Sequence, residues 1–458
     1  MKLRCLVNVL LLAGLIPCLG WGQTQQNIPG RLTLAEAEDL LLQRNLAISA
    51  SRYQVEASRA ARLIAGYKPN PVLTIGAEQF PFYSPIPDSF PRFSSTNADA
   101  GAQPTYTLRL DKITERGGKR ELRTEQADFQ LKTAEAQMLD AIRTQMFQLR
   151  QAFGNAILAR ENLRLAEQTE QQYAETERLT QVRLQNGDVP PFEVYRIRAG
   201  RLQFQQAVLQ ARTTYQQATS DILNALGARA EQVMKQSVSA AADTGIPASL
   251  RNAILEVMGR FDNRPVTQTL TDLRAIALTQ RPDVIAARNA FEAANRGVLL
   301  AQAQVRRDLD IGYEYQRVGN DHSAGVVLQV PLFLYNNNQA AIKQAEAQRD
   351  SAEALLHQAE LQAATDVEKA YRAYQSARNV LDLYTSENLA QVEKLKTIST
   401  YSFNEGAASL LELLDAQRTY NQSMTAYNQA TADYQVSLWQ LEQATGQALR
   451  LAAATTDR

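Results

Sequence analysis

Four short segments of the chain alternate between apolar and polar side chains, and this period of two residues is typical of a β-strand with two different faces. The predicted strands cover residues 71–80, 104–112, 308–317 and 323–333. In the third strand every second residue is apolar or aromatic, and these residues are Leu309, Ile311, Tyr313 and Tyr315. The residues between them are charged, polar or glycine. The pattern predicts a sheet with one apolar and one polar face.

Most of the remaining chain has the longer period of coiled-coil helices. Nothing breaks the helical pattern between Lys119 and Asn186, and at 1.5 Å per residue this predicts a helix of roughly 100 Å. A second helix is predicted from near Phe192 to Leu226. Its apolar seam runs through Phe204, Val208, Ala211, Tyr215, Ala218, Ile222 and Ala225. An equivalent seam in the second half runs through Tyr420, Met424, Tyr427, Thr431, Tyr434, Leu438 and Leu441. Seams with spacings of four and three pack as coiled coils.

The two halves of the chain are copies of one unit, a relation to be sought before any fold is assigned. The clearest matched segments are Val55-Glu56-Ala57 with Phe291-Glu292-Ala293, Leu73-Thr74-Ile75-Gly76 with Leu309-Asp310-Ile311-Gly312, and Ala225-Leu226-Gly227 with Ala444-Thr445-Gly446. Each half predicts a helix, two strands and two long helices, in domains 23–227 and 272–446. Residues 228–271 predict a crossover around the middle of the helical body, and residues 447–458 a flexible tail.

The first 22 residues predict a cleaved signal peptide. A positively charged start precedes the apolar run 6–16, which is too short to span a bilayer. Cleavage is expected after Gly22, so Cys5 and Cys18 both leave with the signal. The alternative is lipidation of Cys18, but Pro17 stands where a lipidation signal needs a small residue.

Composition narrows the class of protein further. The 48 basic and 48 acidic residues balance, so no net charge suggests nucleic acid as a partner. Two histidines, one of them His322 in the second loop between strands, are too few for a metal site of Cys and His ligands. We expect no enzyme, no cofactor and no bound metal.

The strands are long enough to cross an outer membrane when tilted, but four strands cannot close a barrel. Open edges in lipid leave unpaired backbone groups that cost several kcal/mol each. We therefore expect several chains to pool their strands. Three chains give twelve strands, although this argument alone also allows a dimer or a tetramer. The alternative is an ordinary soluble sheet with one exposed face.

The alternation also assigns the faces of the predicted barrel. The side chains expected to face lipid are Leu108, Leu110, Leu309, Ile311, Tyr313 and Tyr315. Those expected to line a wet lumen are Thr107, Arg109, Asp310 and Glu314. Aromatic girdles are expected from Tyr106, Tyr313, Tyr335, Phe80 and Phe82.

Several motifs in fixed order carry a family resemblance. They are Leu32-Thr33-Leu34-Ala35-Glu36-Ala37, Pro69-Asn70-Pro71 and the segment from Tyr401 to Arg418 with Leu413-Leu414-Asp415-Ala416-Gln417-Arg418. From Leu32 to about Gly446 the chain resembles the TolC family of outer-membrane efflux proteins. The resemblance implies a mainly α fold with membrane β, in which a twelve-stranded β-barrel is joined to a long α-helical periplasmic barrel. It also implies a homotrimer in outer-membrane lipid that meets an inner-membrane pump through a periplasmic adaptor.

The same resemblance implies a periplasmic gate. It identifies Gly187, Gly406 and Tyr401 with hairpin tips that meet the adaptor. It identifies Glu412 and Asp415 with carboxylate rings at the entrance, which attract cations, and Glu193 is the counterpart of Glu412 in the first repeat. The structural alternative for Glu412 is a capping box with Ser409.

A basic residue that helps to latch the family's tips falls on Ala408 here. Arg178 and Arg183 are possible substitutes for that latch. Gly117-Gly118-Lys119-Arg120 after the second strand resembles the branch that serves heavy-metal pumps. These residues leave open how the gate latches and which substrate passes.

The function that we expect is passive conduction of a metal or a drug out of a tripartite efflux pump, with an RND-type pump as the leading partner. One alternative is the exit duct of type I protein secretion. Another is a non-conducting periplasmic coiled-coil protein, which would not insert strands into the membrane.

Overall fold

The computed structural model describes residues 28–78, 104–229, 233, 255–332 and 335–451. The predicted signal peptide with Cys18, the girdle residues Phe80 and Phe82, most of the crossover and most of the tail lie outside the described residues. The elements of the first repeat are β1 (Arg31–Thr33), α1 (Leu34–Arg44), α2 (Leu46–Gly66), β2 (Val72–Glu78), β3 (Thr105–Thr114), α3 (Lys119–Asn186) and α4 (Pro191–Ala225). Those that follow are β4 (Glu256–Met258), α5 (Leu270–Gln280), α6 (Pro282–Ala303), β5 (Leu309–Val318), β6 (Asp321–Gln329), α7 (Gln339–Leu381), α8 (Ser386–Asn404) and α9 (Leu410–Thr445).

The four predicted strands form one antiparallel sheet in the order β2-β3-β5-β6. Its register pairs Leu108 with Tyr315 and Arg109 with Glu314. Because neighbours in register share a face, most apolar residues of both repeats lie on one side and most polar residues on the other. The exceptions include Ile113 and Val327 on the polar side, and Lys112 and Arg317 on the apolar side. The sheet stays open in a single chain, with β2 and β6 as its edges.

The last strand differs from its prediction at both ends. It begins at Asp321 because β5 turns into it through Gly319 and Asn320 alone, with Gly319 at a φ of +60°. A two-residue hairpin turn requires a positive φ of this kind. The strand ends at Gln329 and not at residue 333, and Pro331, which lies just beyond its end, has no backbone N–H for a ladder.

The long helices follow the predicted bounds closely in the first repeat. The helix expected from Lys119 to Asn186 is α3, which has 68 residues. Every seam residue of α4 and α9 is buried or half-buried. In the second repeat, however, the structure divides the expected first long helix into α7 and α8. The N–H of Asn388 bonds to Thr385 Oγ1 at 3.2 Å and the Asn388 side chain bonds to Leu383 O at 2.9 Å, so a new helix is capped there.

A short parallel pair, β1 with β4, ties the start of the first repeat to the crossover. We call this level of the molecule the waist. The phenol of Tyr215 donates to Leu255 O at 3.1 Å and accepts from Val257 N at 3.2 Å. Its counterpart in the second repeat, Tyr434, donates to Arg264 O at 2.9 Å. Burial raises the pKa of both phenols, so they remain neutral donors.

The joint between sheet and helices is built at the end of β3. Gly117 and Gly118 both have positive φ values, +81° and +71°, and turn the chain into α3. The Asp308 carboxylate then accepts from Lys119 Nζ and from the Arg116 N–H, each at 2.9 Å. This ion pair holds the β3–α3 joint against the α6–β5 joint.

The close approach of α3 and α9 gives a test of the fold. A Cβ on Gly154 would lie 2.8 Å from Trp439 Cζ3, whereas a Cβ on Gly200 of α4 would make an ordinary 3.6 Å contact with Tyr173. We expect Gly154→Ala to lower the free energy of unfolding by about 1–3 kcal/mol through overpacking. Gly200→Ala should raise it by about 0.5–1 kcal/mol, because alanine favours helix over glycine. Thermal unfolding followed by circular dichroism measures both, and shifts of the same sign would contradict this packing.

Candidate functional site

The site predicted from the sequence lies where the long helices reverse. We call α3 with α4 hairpin 1, and α8 with α9 hairpin 2. Hairpin 1 turns at Gly187, whose φ of +83° and N–H bonds to Arg183 O and Leu184 O end α3. Pro191 then occupies the first turn of α4, where a missing N–H costs no hydrogen bond. Hairpin 1 therefore has a tight tip at the residue predicted from the sequence.

Hairpin 2 turns at Gly406, with a φ of +79°. Ser409 then caps α9 in the predicted capping box. The Ser409 N–H donates to Glu412 Oε2 at 3.0 Å, and the Glu412 N–H donates to Ser409 Oγ at 3.3 Å. The capping role of Glu412 is thus observed, and it holds the carboxylate beside the tip.

Of the other two predicted gate residues, Glu193 lies in the first turn of α4 and Asp415 in the second turn of α9. Asp415 is exposed on α9, three residues after Glu412, so the two carboxylates share a helix face. Glu193 is half-buried in the first turn of α4, on the other hairpin. The structure brings Glu412 and Asp415 together and gives Glu193 a separate place.

Arg183 joins the two tips. From the last turn of α3 its Nη2 donates to Phe403 O at 2.8 Å and to Asn404 O at 2.6 Å. Its guanidinium also lies 4.9 Å from the centroid of the Phe403 ring. These carbonyls lie at the end of α8, where Phe403 O also accepts from the Gly406 N–H at 3.1 Å. A cation is favourable at that end of the helix dipole. Arg178, the other suggested substitute, instead pairs with Glu175 of its own helix at 2.7 Å.

Behind this contact the tips share a small apolar core. Tyr173 and Ile197 of hairpin 1 pack with Phe403, Leu410 and Leu413 of hairpin 2, and all five are buried. Burial raises the pKa of Tyr173 to about 12, so its phenol stays neutral at physiological pH. The tips are thus held together by apolar burial and by one cation on helix-end carbonyls.

Tyr401 lines a groove of about 430 Å³ between α3, α8 and α9, directly beside the tips. The side chain is 67 % exposed. Lys396 lies in the same groove, with its Nζ 4.1 Å from the centroid of the Tyr420 ring. Partial burial lowers the pKa of this lysine. The groove offers both an aromatic surface and a cation.

Farther from the tips, polar side-chain pairs also join α3 and α9. Asn428 Nδ2 donates to Asn162 Oδ1 at 3.0 Å, and Thr169 Oγ1 lies 2.9 Å from Asn421 Oδ1. These polar pairs lie between the apolar core at the tips and the apolar contact of Gly154 with Trp439.

At the opposite end, the predicted lumen residues lie on the polar face of the sheet. Arg109 Nε donates to Asp111 Oδ1 at 2.8 Å and its Nη1 lies 3.9 Å from Glu314 Oε2. Gly312 lies under this group, where any Cβ would collide with the Asp111 carboxylate. Thr107 and Asp310 share the face by register.

Sequence reasoning missed the pairing of Asp111, and it named Arg183 as a possible latch without identifying the carbonyls that Arg183 binds. Asp111 is two residues from Arg109 on the same strand and so lies on the same face. The strand pattern could therefore have predicted that the two side chains pair. The reach of Arg183 to carbonyls some 220 residues away along the chain left no local signal, because backbone carbonyls carry no side-chain signature.

In the residues that the structure describes, no helix is long and apolar enough to cross a membrane. Within the same residues, no three His, Cys, Asp or Glu side chains are grouped so that they could hold a metal ion.

Comparison with known proteins agrees with this architecture. A sequence model of the family described as "Outer membrane efflux protein" matches residues 38–228 and 273–447, that is, both repeats. No curated protein sequence matches the chain significantly.

Solved structures that resemble the chain include outer-membrane channels. A membrane protein from Pseudomonas aeruginosa has a TM-score of 0.71 at 19 % identity, covering 91 % of this chain and 90 % of its own. The Campylobacter jejuni CmeC outer membrane channel has a TM-score of 0.71 at 15 % identity, covering 92 % and 87 %. The outer membrane protein VceC from Vibrio cholerae has a TM-score of 0.68 at 19 % identity, covering 91 % and 96 %. At these identities the likeness shows the fold.

The contact of Arg183 with the opposite tip can be tested by hydrogen exchange. We expect Arg183→Gln to speed exchange of the amides of Glu405, Gly406 and Ala407 by about five- to thirtyfold, since losing a charged hydrogen bond costs about 1–2 kcal/mol at a half-exposed site. Arg178→Gln is the matched control, because that arginine pairs within its own helix. Equal exchange rates in both variants would show that Arg183 does not hold the tip.

Proposed function

This chain belongs to the outer membrane efflux protein family, and we propose that it forms the passive outer-membrane exit duct of a tripartite efflux pump. The observation that carries the proposal is a sheet with one mainly apolar face, one mainly polar face and two open edges. This sheet is joined to helices of up to 68 residues. The protein resides in the outer membrane, with a large periplasmic helical part. Transport through such a duct needs no reaction and no cofactor, so the energy comes from the pump.

We propose that three chains close one barrel of twelve strands, with β6 of each chain pairing with β2 of the next. This arrangement satisfies the edge groups that lipid cannot. It turns the apolar face, with Ile75, Leu108 and Tyr313, towards lipid and the polar face towards the bore. Thr107, Arg109, Asp310 and Glu314 then line the bore.

The helical part supports association of several chains as well. Tyr195, Leu202 and Leu209 lie seven residues apart on α4 and are 67 %, 66 % and 62 % exposed. A heptad stripe of this kind is a coiled-coil seam in need of a partner helix. We assign it to the neighbouring chain.

The entrance of the proposed duct is formed by the tips. In a trimer, three copies of Glu412 and Asp415 form two stacked carboxylate rings, with Glu193 contributing from hairpin 1. Such rings favour cations. The capping box supports the assignment of one ring, because it fixes the Glu412 carboxylate of each chain beside the turn. Arg183 takes the latching role that Ala408 cannot fill.

We assign adaptor docking to the outer surface of the tips. A Cβ on Gly187 or Gly406 would meet nothing within 4 Å in the described part of the chain, so a partner can approach the backbone there closely. Tyr401 adds an exposed aromatic ring. An inner-membrane pump of the RND type, delivering a metal or a drug, is the partner that fits the proposal best.

The substrate assignment to metals depends on Gly117-Gly118-Lys119-Arg120 alone. Within this chain, these residues form the strand-to-helix joint, where Lys119 binds Asp308. A joint of this kind is useful in any member of the family, so the motif supports metal export only weakly against drug export.

The orientation of the sheet gives a test of membrane insertion. Ile75 lies on the apolar face in the middle of β2 and its neighbour Thr74 lies on the polar face. We expect Ile75→Lys to reduce sharply the amount of assembled protein in outer-membrane fractions, because a lysine facing mid-bilayer lipid costs about 2–4 kcal/mol per chain. Thr74→Lys should insert normally. Equal loss in both variants would contradict a lipid-facing Ile75, and full insertion of both would favour a non-inserting coiled-coil protein.

The gate assignment predicts a change of ion selectivity. We expect the double variant Glu412→Gln and Asp415→Asn to lower the cation preference, measured as the reversal potential in planar bilayers under a salt gradient. Glutamine keeps the capping box, so the tip should stay folded while the charge is lost. Glu353→Gln, an exposed site on α7, is the control. Unchanged selectivity in the double variant would show that neither carboxylate acts in the gate.

A further inference from the structure

A basic cleft at the waist is not used by the proposed duct. It encloses about 420 Å³ between α3, α9 and the segment that follows β4. Arg160 and Arg164 line it from α3, and Arg260 lines it from the segment after β4, against the single wall carboxylate of Glu161. Three guanidinium groups around one carboxylate leave an excess of positive charge in the cleft.

The carboxylate of Glu161 is already engaged. It accepts from Arg160 Nε at 3.0 Å and from Arg160 Nη2 at 2.7 Å, and Arg164 Nη1 lies 3.3 Å away. The remaining N–H groups of Arg160 donate to Val257 O and Gly259 O. The hydrogen bonds of Arg160 therefore attach β4 and the segment after it, which we call the β4 segment, to α3. Glu161 has little capacity to neutralise the charges of Arg164 and Arg260.

Arg164 and Arg260 keep free donors that point to a ligand. Arg164 makes one long contact, with Glu161, and its side chain is 50 % exposed. The Arg260 side chain forms no hydrogen bond or ion pair with the residues that the structure describes. By contrast, Arg150, which also lies on α3, bridges Glu38 and Glu442 at 2.6 Å each. A guanidinium fork is suited to bind a carboxylate in two places.

The cleft also has an apolar wall. Ile157 of α3 and Phe261 of the β4 segment lie beside the arginines. Asn263 and Asn428 add side-chain amides at the same level. Small-molecule sites combine apolar walls with a few polar groups that fix orientation, and this cleft has both.

We propose that the waist cleft binds a small organic anion. Its carboxylate lies between Arg164 and Arg260, and its carbon skeleton packs against Phe261 and Ile157. The site joins α3 to the β4 segment and to α9, so an occupant contacts both repeats. The proposal does not depend on conduction, because it concerns the waist of the chain and not the strands or the tips.

Isothermal titration calorimetry on the full-length, detergent-solubilised protein tests the proposal with benzoate as the probe. We expect saturable binding of one benzoate per chain that weakens as the salt concentration rises. Arg260→Ala and Arg164→Ala should each weaken it by about tenfold or more, since each removes a charge-assisted hydrogen bond. Benzyl alcohol, which has the same ring without the charge, should bind far more weakly.

Two controls make the outcome decisive. Arg349→Ala removes an arginine that pairs with its neighbour Asp350 on α7, and it should leave benzoate affinity unchanged. Arg260→Lys keeps the charge but not the two-point fork, so it should bind benzoate more tightly than Arg260→Ala and more weakly than the unaltered protein. This separates loss of charge from damage to the fold. Benzoate affinity that is unaffected by Arg260→Ala, equally reduced by Arg349→Ala, or matched by benzyl alcohol would overturn the proposal.

Discussion

Backbone N–H and C=O groups at the edges of a sheet must find partners, and this demand governs the whole architecture. In one chain, β2 and β6 end the sheet with open edges. Water satisfies such edges, but a hydrocarbon layer does not, and each unpaired group there costs several kcal/mol. The proposed closure by other copies follows from this cost. It gives the sorted faces of the sheet and the exposed heptad stripe of α4 a common cause, because both need neighbours that a single chain lacks.

Most of the fold could be predicted from the hydrophobic periodicity of the sequence, for a physical reason. A period of two fixes which strand residues share a face, so the pairing of Leu108 with Tyr315 follows once the strands are recognised. A heptad fixes which helix face is buried, so Tyr215 and Tyr434 were identified as seam residues. The break at Thr385 was not predicted, although its capping residues are local. The break was missed because the heptad pattern continues on both sides of the cap, so the sequence predicts a single helix.

The candidate site was less predictable than the fold. Gly187, Gly406 and the capping box of Glu412 depend on local geometry, and each lies where the sequence indicated. The contact of Arg183 with the carbonyls of Phe403 and Asn404 depends on how two distant hairpins pack. No spacing rule encodes a side chain reaching a backbone oxygen on another hairpin. The same holds for the charge excess at the waist, which appears only when α3 and the β4 segment meet.

The contacts between the tips contribute to the free energy needed to open the proposed duct. Separating the hairpins exposes the shared core of Tyr173, Ile197, Phe403, Leu410 and Leu413, and each large apolar side chain returned to water costs about 1.5–3 kcal/mol. Breaking the Arg183 contact adds to this cost. The polar pairs along the shaft, such as Asn162 with Asn428, exchange their hydrogen bonds for water at little net cost. The tips therefore carry a large part of the resistance to separation. A partner opens the proposed duct only if it binds the separated tips more tightly than the joined ones by a comparable amount.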